Sequence, residues 1–113
     1  MKTLGEIRKA LGLSVLAGEE GAEAEVTGAY CGDMLSDVMA NAGKGNLWIT
    51  IQIHMNIVPV AVMKELAAIV IANGKRPDPA VLARAREEGV PMLGSPLGSY
   101  AIACRLHEAG VPG

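Results

Sequence analysis

Apolar residues in this chain fall by turns into helically spaced sets and short unbroken runs. Thr3 stands three residues before Glu6, the pairing of a helix cap with a returning carboxylate, and predicts a helix through about Leu11. Val15 to Ala17 reads as a short strand, Gly18 to Glu23 as a solvated turn, and Val26 to Tyr30 as a second strand. After Gly32 the helical spacing is clearest. Met34, Leu35, Val38, Met39 and Ala42 share one face, Asp33 stands at the capping position, and Gly43 is placed to end the helix in the left-handed conformation. Leu47 to Ile51 is a nearly continuous apolar run rich in β-branched residues, the pattern of a strand covered on both faces.

Asn56, with Pro59 in the first turn behind it, predicts a third helix reaching Leu66, and Ala67 to Ala72 a second buried strand. Asn73 to Pro77 is a loop. Asp78-Pro79 opens a further helix and Gly89 stops it. Val90 to Leu93 is a strand. A last helix begins between Ser95 and Ser99, turns Ile102, Ala103, Leu106 and Ala109 inward, and ends at Gly110 and Pro112. Strands and helices thus alternate with connections of a few residues. Parallel strands require crossovers, and helical crossovers cover the faces of the sheet. The expected fold is α/β, a three-layer sandwich with a mostly parallel sheet and helices on both faces. Its length, 113 residues, suits one domain over 1–113, with residues 1–14 as an N-terminal helical extension.

Composition narrows the function. Half the residues are hydrophobic, but only 3% are aromatic and Phe is absent, so Tyr30, Trp48 and Tyr100 are the only large rings. That is a poor base-stacking platform. Ten Lys and Arg against twelve Asp and Glu leave a net charge of −2, which gives no general attraction to nucleic acid or to an anionic membrane. Cys31 and Cys104 are too few for a disulfide framework or a four-thiolate metal site and fit thiols in a reducing cytoplasm. The first residues lack the apolar core of a secretory signal. The hydrophobic stretch from Leu47 to Ala72 is broken by Gln52, His54, Asn56, Pro59, Lys64 and Glu65, so no membrane span is expected.

No phosphate loop of the GxxxxGK[ST] type and no GxSxG nucleophile elbow is present, and neither His54 nor His107 has a partner at metal-binding spacing. No metal, cofactor or catalytic residue is therefore expected. The alternative is a small enzyme or redox-associated assembly partner using Cys31 as nucleophile and His54 as base. The pattern that remains is positional. Ligands of open parallel sheets bind beyond the carboxyl ends of the strands. The residues expected there are Tyr30, Gly32 and Asp33, then Thr50, Gln52 and His54, then Asn73 and Gly74, then Ser95, with Lys75 or Arg76 supplying positive potential for a small anion such as a nucleotide. The surplus of Met and aliphatic residues predicts a homodimer interface.

Several stretches resemble the stand-alone DRTGG-domain proteins. They are Val26-Thr27-Gly28, Gly32 to Met39, Trp48 to Gln52, Asn56-Ile57-Val58, Ala68 to Ile71 with Gly74 and Pro77, Gly89 to Leu93, and Ser99. The likeness runs from about Val15 to Val111 and extends to the N-terminal domain of bacterial HPr kinase/phosphorylase. Where the family carries its five-residue signature, this chain has Ala72-Asn73-Gly74. The resemblance implies an α/β regulatory or interaction module, found alone or beside CBS domains, without catalytic residues of its own. It also implies protein partners in redox or signalling complexes.

Overall fold

The computed structural model describes residues 2–113; Met1, part of the expected N-terminal extension, lies outside them. Helix α1 (Leu4–Leu11) leads into strand β1 (Ser14–Ala17), a 3₁₀ turn (Glu19–Glu23) and strand β2 (Gly28–Cys31). Three crossover units follow: α2 (Leu35–Asn41) to β3 (Asn46–Thr50), α3 (Ile57–Met63) to β4 (Ala68–Ile71), and α4 (Pro79–Glu88) to β5 (Met92–Gly94). Helix α5 (Ser99–Glu108) closes the order. The sheet runs β1-β5-β4-β3-β2, with β2 to β5 parallel and β1 antiparallel to β5. The fold is the expected three-layer sandwich.

Each crossover moves one strand over in the same direction. Because such connections are right-handed, α2, α3 and α4 must all fall on one face. They pack there against Trp48, Ile69, Ile71 and Met92. The opposite face carries Leu47, Ile49, Val70 and Leu93, covered by Leu4 and Ile7 of α1 and Ile102 and Leu106 of α5. The alternation of side chains along β3 explains both layers, since neighbours in a strand point to opposite faces.

The antiparallel entry of β1 has a simple cause. Its end lies at the same edge of the sheet as the start of β2, so the ten residues of 18–27 can pass beneath the sheet without a helical crossover. Crossing four strand spacings takes about 19 Å, well within the reach of such a segment. The same reversal carries Ser14 to the edge where the parallel strands end, opposite Gly94.

Local corrections concern caps and boundaries. The turn expected from Gly18 to Glu23 takes 3₁₀ form over residues 19–23. Asp33 does not cap α2: Met34 takes that position without a side-chain bond, because the Asp33 carboxylate is held by β3 and the residue after it. Gly43 does not supply the left-handed residue either. The helix ends at Asn41, and Gly45 has φ +81, where an added Cβ would meet Thr27 Cγ2 at 2.7 Å. Asn56 precedes α3 but caps it with no side-chain bond, and the helix stops at Met63 rather than Leu66. By contrast α1 has the full reciprocal capping box, and α4 runs from Pro79 to a left-handed Gly89.

Candidate functional site

The carboxyl ends of β2, β3, β4 and β5 share one edge, and the nine residues expected there divide into two groups. At the β2 and β3 tips the polar groups bond to one another. Asp33 Oδ1 accepts from the Thr50 hydroxyl at 2.8 Å and from the Ile51 N–H at 2.9 Å. Thr50 Oγ1 in turn accepts from the Gln52 N–H at 3.1 Å, and Gln52 Nε2 donates to the Asp33 carbonyl at 3.2 Å. The backbone of Gly32 is equally committed: its N–H donates to Ile49 O at 3.1 Å and its carbonyl accepts from Trp48 Nε1 at 2.8 Å. Tyr30 donates its hydroxyl to Asp37 Oδ2, and Asn41 Nδ2 binds the other carboxylate oxygen at 2.9 Å. His54 stands on the loop into α3, where Asn56 Oδ1 lies 2.9 Å from its Nδ1.

The β4 and β5 tips are built differently. Asn73 and Gly74 both have positive φ, +61 and +65, the conformation an Asn-Gly pair adopts at low cost. This turn aims two successive N–H groups at the next loop, so that Asn73 donates to Leu97 O and Gly74 to Ser95 O, each at 2.8 Å. The two loops are thereby stitched together, and the chain leaves as Lys75 and Arg76 beside a cavity of about 190 Å³. Gly74, Lys75, Arg76, Ser95 and Pro96 line it from the two loops. Gly94 adds to it from the end of β5, and Ser14 and Leu16 from β1. Ser14 and Leu16 escaped the sequence reading because a strand's direction is not encoded in its apolar pattern. Among the described residues the ion pairs are Lys44–Glu65 and Arg84–Glu88, and neither Lys75 nor Arg76 is in one.

Cys31 and His54 do not form a pair. Cys31 extends from the face covered by α5 and lines a separate cavity of about 160 Å³ with Ile49, Leu106 and His107. His107, not His54, is the histidine that shares its space, a proximity with no trace in sequence spacing. A third cavity, about 360 Å³, lies between α1 and β1 and includes Leu4, Arg8, Val15 and Leu93. Among the described residues no group of three or more His, Cys, Asp or Glu could hold a metal ion, and no helix is long and apolar enough to cross a membrane.

No curated protein matches the chain. Among solved structures, a similar fold is the crystal structure of the CBS and DRTGG domains of the regulatory region of Clostridium perfringens pyrophosphatase, complexed with its activator diadenosine tetraphosphate. The match has a TM-score of 0.74 and covers 98% of this chain at 13% identity. The chain spans about half of that one, 48%. At such identity the likeness is one of fold. The DRTGG domain model matches residues 6–109, nearly all of the strands and helices described above, and the chain belongs to the DRTGG domain family.

Proposed function

We propose that this chain is a non-catalytic regulatory module that forms a homodimer in the cytoplasm and senses a nucleotide at the strand-end edge of its sheet. The supporting observation is the pairing of a DRTGG fold with an open, cation-bearing cavity at the β4 and β5 tips. A regulatory region of that fold, in the pyrophosphatase, has been described with a nucleotide activator. In this reading Asn73, Gly74 and Ser95 border the ligand. Tyr30, Gly32, Asp33, Thr50, Gln52 and His54 position the neighbouring loops. The unit acts as one domain over 1–113, with α1 docked on the α5 face, and reports ligand state to a partner protein in a signalling or redox complex.

The dimer has its own support. Met34, Ile53 and Met55 are exposed around the strand-end edge, and Met63 and Val62 on α3. Clustered exposed hydrophobes mark interaction surfaces. Light scattering is expected to give twice the 11.7 kDa chain mass, and a monomer at every concentration would remove this part. Isothermal calorimetry with ATP, AMP and diadenosine tetraphosphate tests the sensing role. Saturable heat with at least one is expected, and no heat with any of them would overturn it.

A further inference from the structure

We infer that the cavity beside Lys75 and Arg76 is an oligophosphate subsite, taking a diphosphate or the phosphate chain of a nucleotide whose base stays outside. The inference rests on the nucleotide-sensing reading and names the part of the ligand that this cavity holds.

Size comes first. Pockets that enclose whole organic ligands run from about 300 Å³ upward. At about 190 Å³ this one is too small for a complete nucleotide, yet it has room for linked phosphates. Charge selects the same class. The chain as a whole is net negative, so its overall field repels anions, and any attraction must be local. Here two adjacent cations flank one cavity, and among the described residues no acidic side chain lines it and no carboxylate lies within ion-pair distance of either cation. Asp78, the nearest carboxylate in sequence, is not part of the lining.

The donors also suit phosphate. Arg76 offers a planar fork that matches two phosphate oxygens, and Lys75 a compact charge that can move between them. Ser95 adds a fixed donor. It is only 5% exposed and lines the cavity, and its Oγ accepts from the Leu97 N–H at 3.1 Å. Its own hydroxyl proton has no acceptor among the described side-chain bonds. The Oγ is already satisfied as an acceptor, and since a hydroxyl can donate as well as accept, its proton is available to a ligand in the cavity. The floor is rigid: Gly74 and Ser95 are joined by their backbone bond, and Arg86 of α4 holds Leu16 in place through its carbonyl at 3.3 Å.

The test is calorimetry at low ionic strength on the full chain with inorganic pyrophosphate, ATP and adenosine as probes. It compares wild type, the double variant Lys75→Gln/Arg76→Gln, and Asp78→Asn. Pyrophosphate and ATP are expected to bind and adenosine to bind far more weakly. The double variant should lose at least about tenfold in affinity for both phosphates, whereas Asp78→Asn should lose none. Raising salt should weaken binding, since both cations are exposed. Both substituted residues lie on the surface, so an unchanged melting curve shows that the double variant is folded. ATP binding that survives unchanged in the double variant would overturn the subsite and leave the sensing role standing. Pyrophosphate binding lost in the double variant, with no nucleotide bound by either protein, would keep the subsite and overturn the nucleotide reading. Binding of neither pyrophosphate nor ATP would overturn the subsite, and the sensing role with it if AMP and diadenosine tetraphosphate are silent as well.

Discussion

The two halves of the strand-end edge are made from similar residue types and do opposite things with them. At the β2 and β3 tips, Asp33, Thr50, Gln52 and Gly32 use their hydrogen-bonding groups on one another and on Trp48. At the β4 and β5 tips the backbone is stitched as firmly, but Lys75, Arg76 and the Ser95 proton are left over. Polar groups that are mutually satisfied contribute stability and offer little to a ligand, since binding would have to break existing bonds. Unsatisfied donors beside a cavity contribute little to stability and much to binding. Position at a strand end therefore does not make a residue a ligand contact; what its polar groups already bind decides that.

The largest effect should follow from damage to the closed half. Trp48 is fully buried and is the largest side chain of its layer. Trp48→Ala leaves a cavity beneath α2 and α3 and frees the Gly32 carbonyl. A loss of about 3–5 kcal/mol is expected in urea unfolding. A loss under about 1 kcal/mol would mean that the loop is held by something other than this anchor.

Asp33→Ala comes next. It leaves the Thr50 hydroxyl, which is fully buried, without its acceptor and strands the Ile51 N–H. The expected cost is about 1–3 kcal/mol, with Asp33→Asn costing less because one acceptor oxygen remains. Neither change should alter pyrophosphate affinity more than about twofold, well short of the 1.4 kcal/mol that a tenfold change represents. If Asp33→Ala abolished phosphate binding while the protein stayed folded, the division between the halves would fail.

In the open half the expectation is reversed. Lys75→Gln and Arg76→Gln should each change stability by no more than about 0.5 kcal/mol, because exposed charges without partners contribute little to folding. Thermal melts without ligand check this. A larger destabilisation would show that these cations are structural after all.

The layers were legible in the sequence because periodicity reports burial. Trp48 and Ile49 had to face opposite helical layers once Leu47 to Ile51 was read as a strand covered on both sides. Caps bonded within a few residues were legible for the same reason. Thr3 with Glu6 needed only a spacing of three, and Gly89 only a position after the last periodic residue. Asp33 was misread because its competing partners lie seventeen and eighteen residues away, at the end of β3 and just past it, and these distant donors took the carboxylate from the local N–H groups of α2. The edge residues could be named, but not sorted into bonded and free, because sorting them requires the pairing between loops. The contribution of Ser14 and Leu16 to the cavity depended on the direction of β1, and that of His107 to the Cys31 cavity on how α5 crosses the sheet.

The smallest effect lies at the start of α1, where a closed network sits at the surface, with Glu6 exposed and Thr3 half-buried. Glu6 Oε1 accepts from the Thr3 N–H at 2.9 Å and from the Thr3 hydroxyl at 3.2 Å, while the Glu6 N–H donates to Thr3 Oγ1 at 3.3 Å. These bonds, the backbone one foremost, hold the Glu6 carboxyl below its ordinary value of 4.5. A folded-state value below the unfolded one means that the stabilisation is present above the ordinary value and is lost as pH falls through the folded one. Glu6→Gln keeps an acceptor for the capping box but removes the charge. Wild type should therefore melt slightly above Glu6→Gln at neutral pH, and the two should converge as pH falls through the lowered folded-state value of the carboxyl. A gap that stays constant across that range would show that the carboxylate's charge adds nothing here. Closure of a polar network would then stabilise this fold only where, as at the Thr50 hydroxyl, one of the bonded groups is buried away from water.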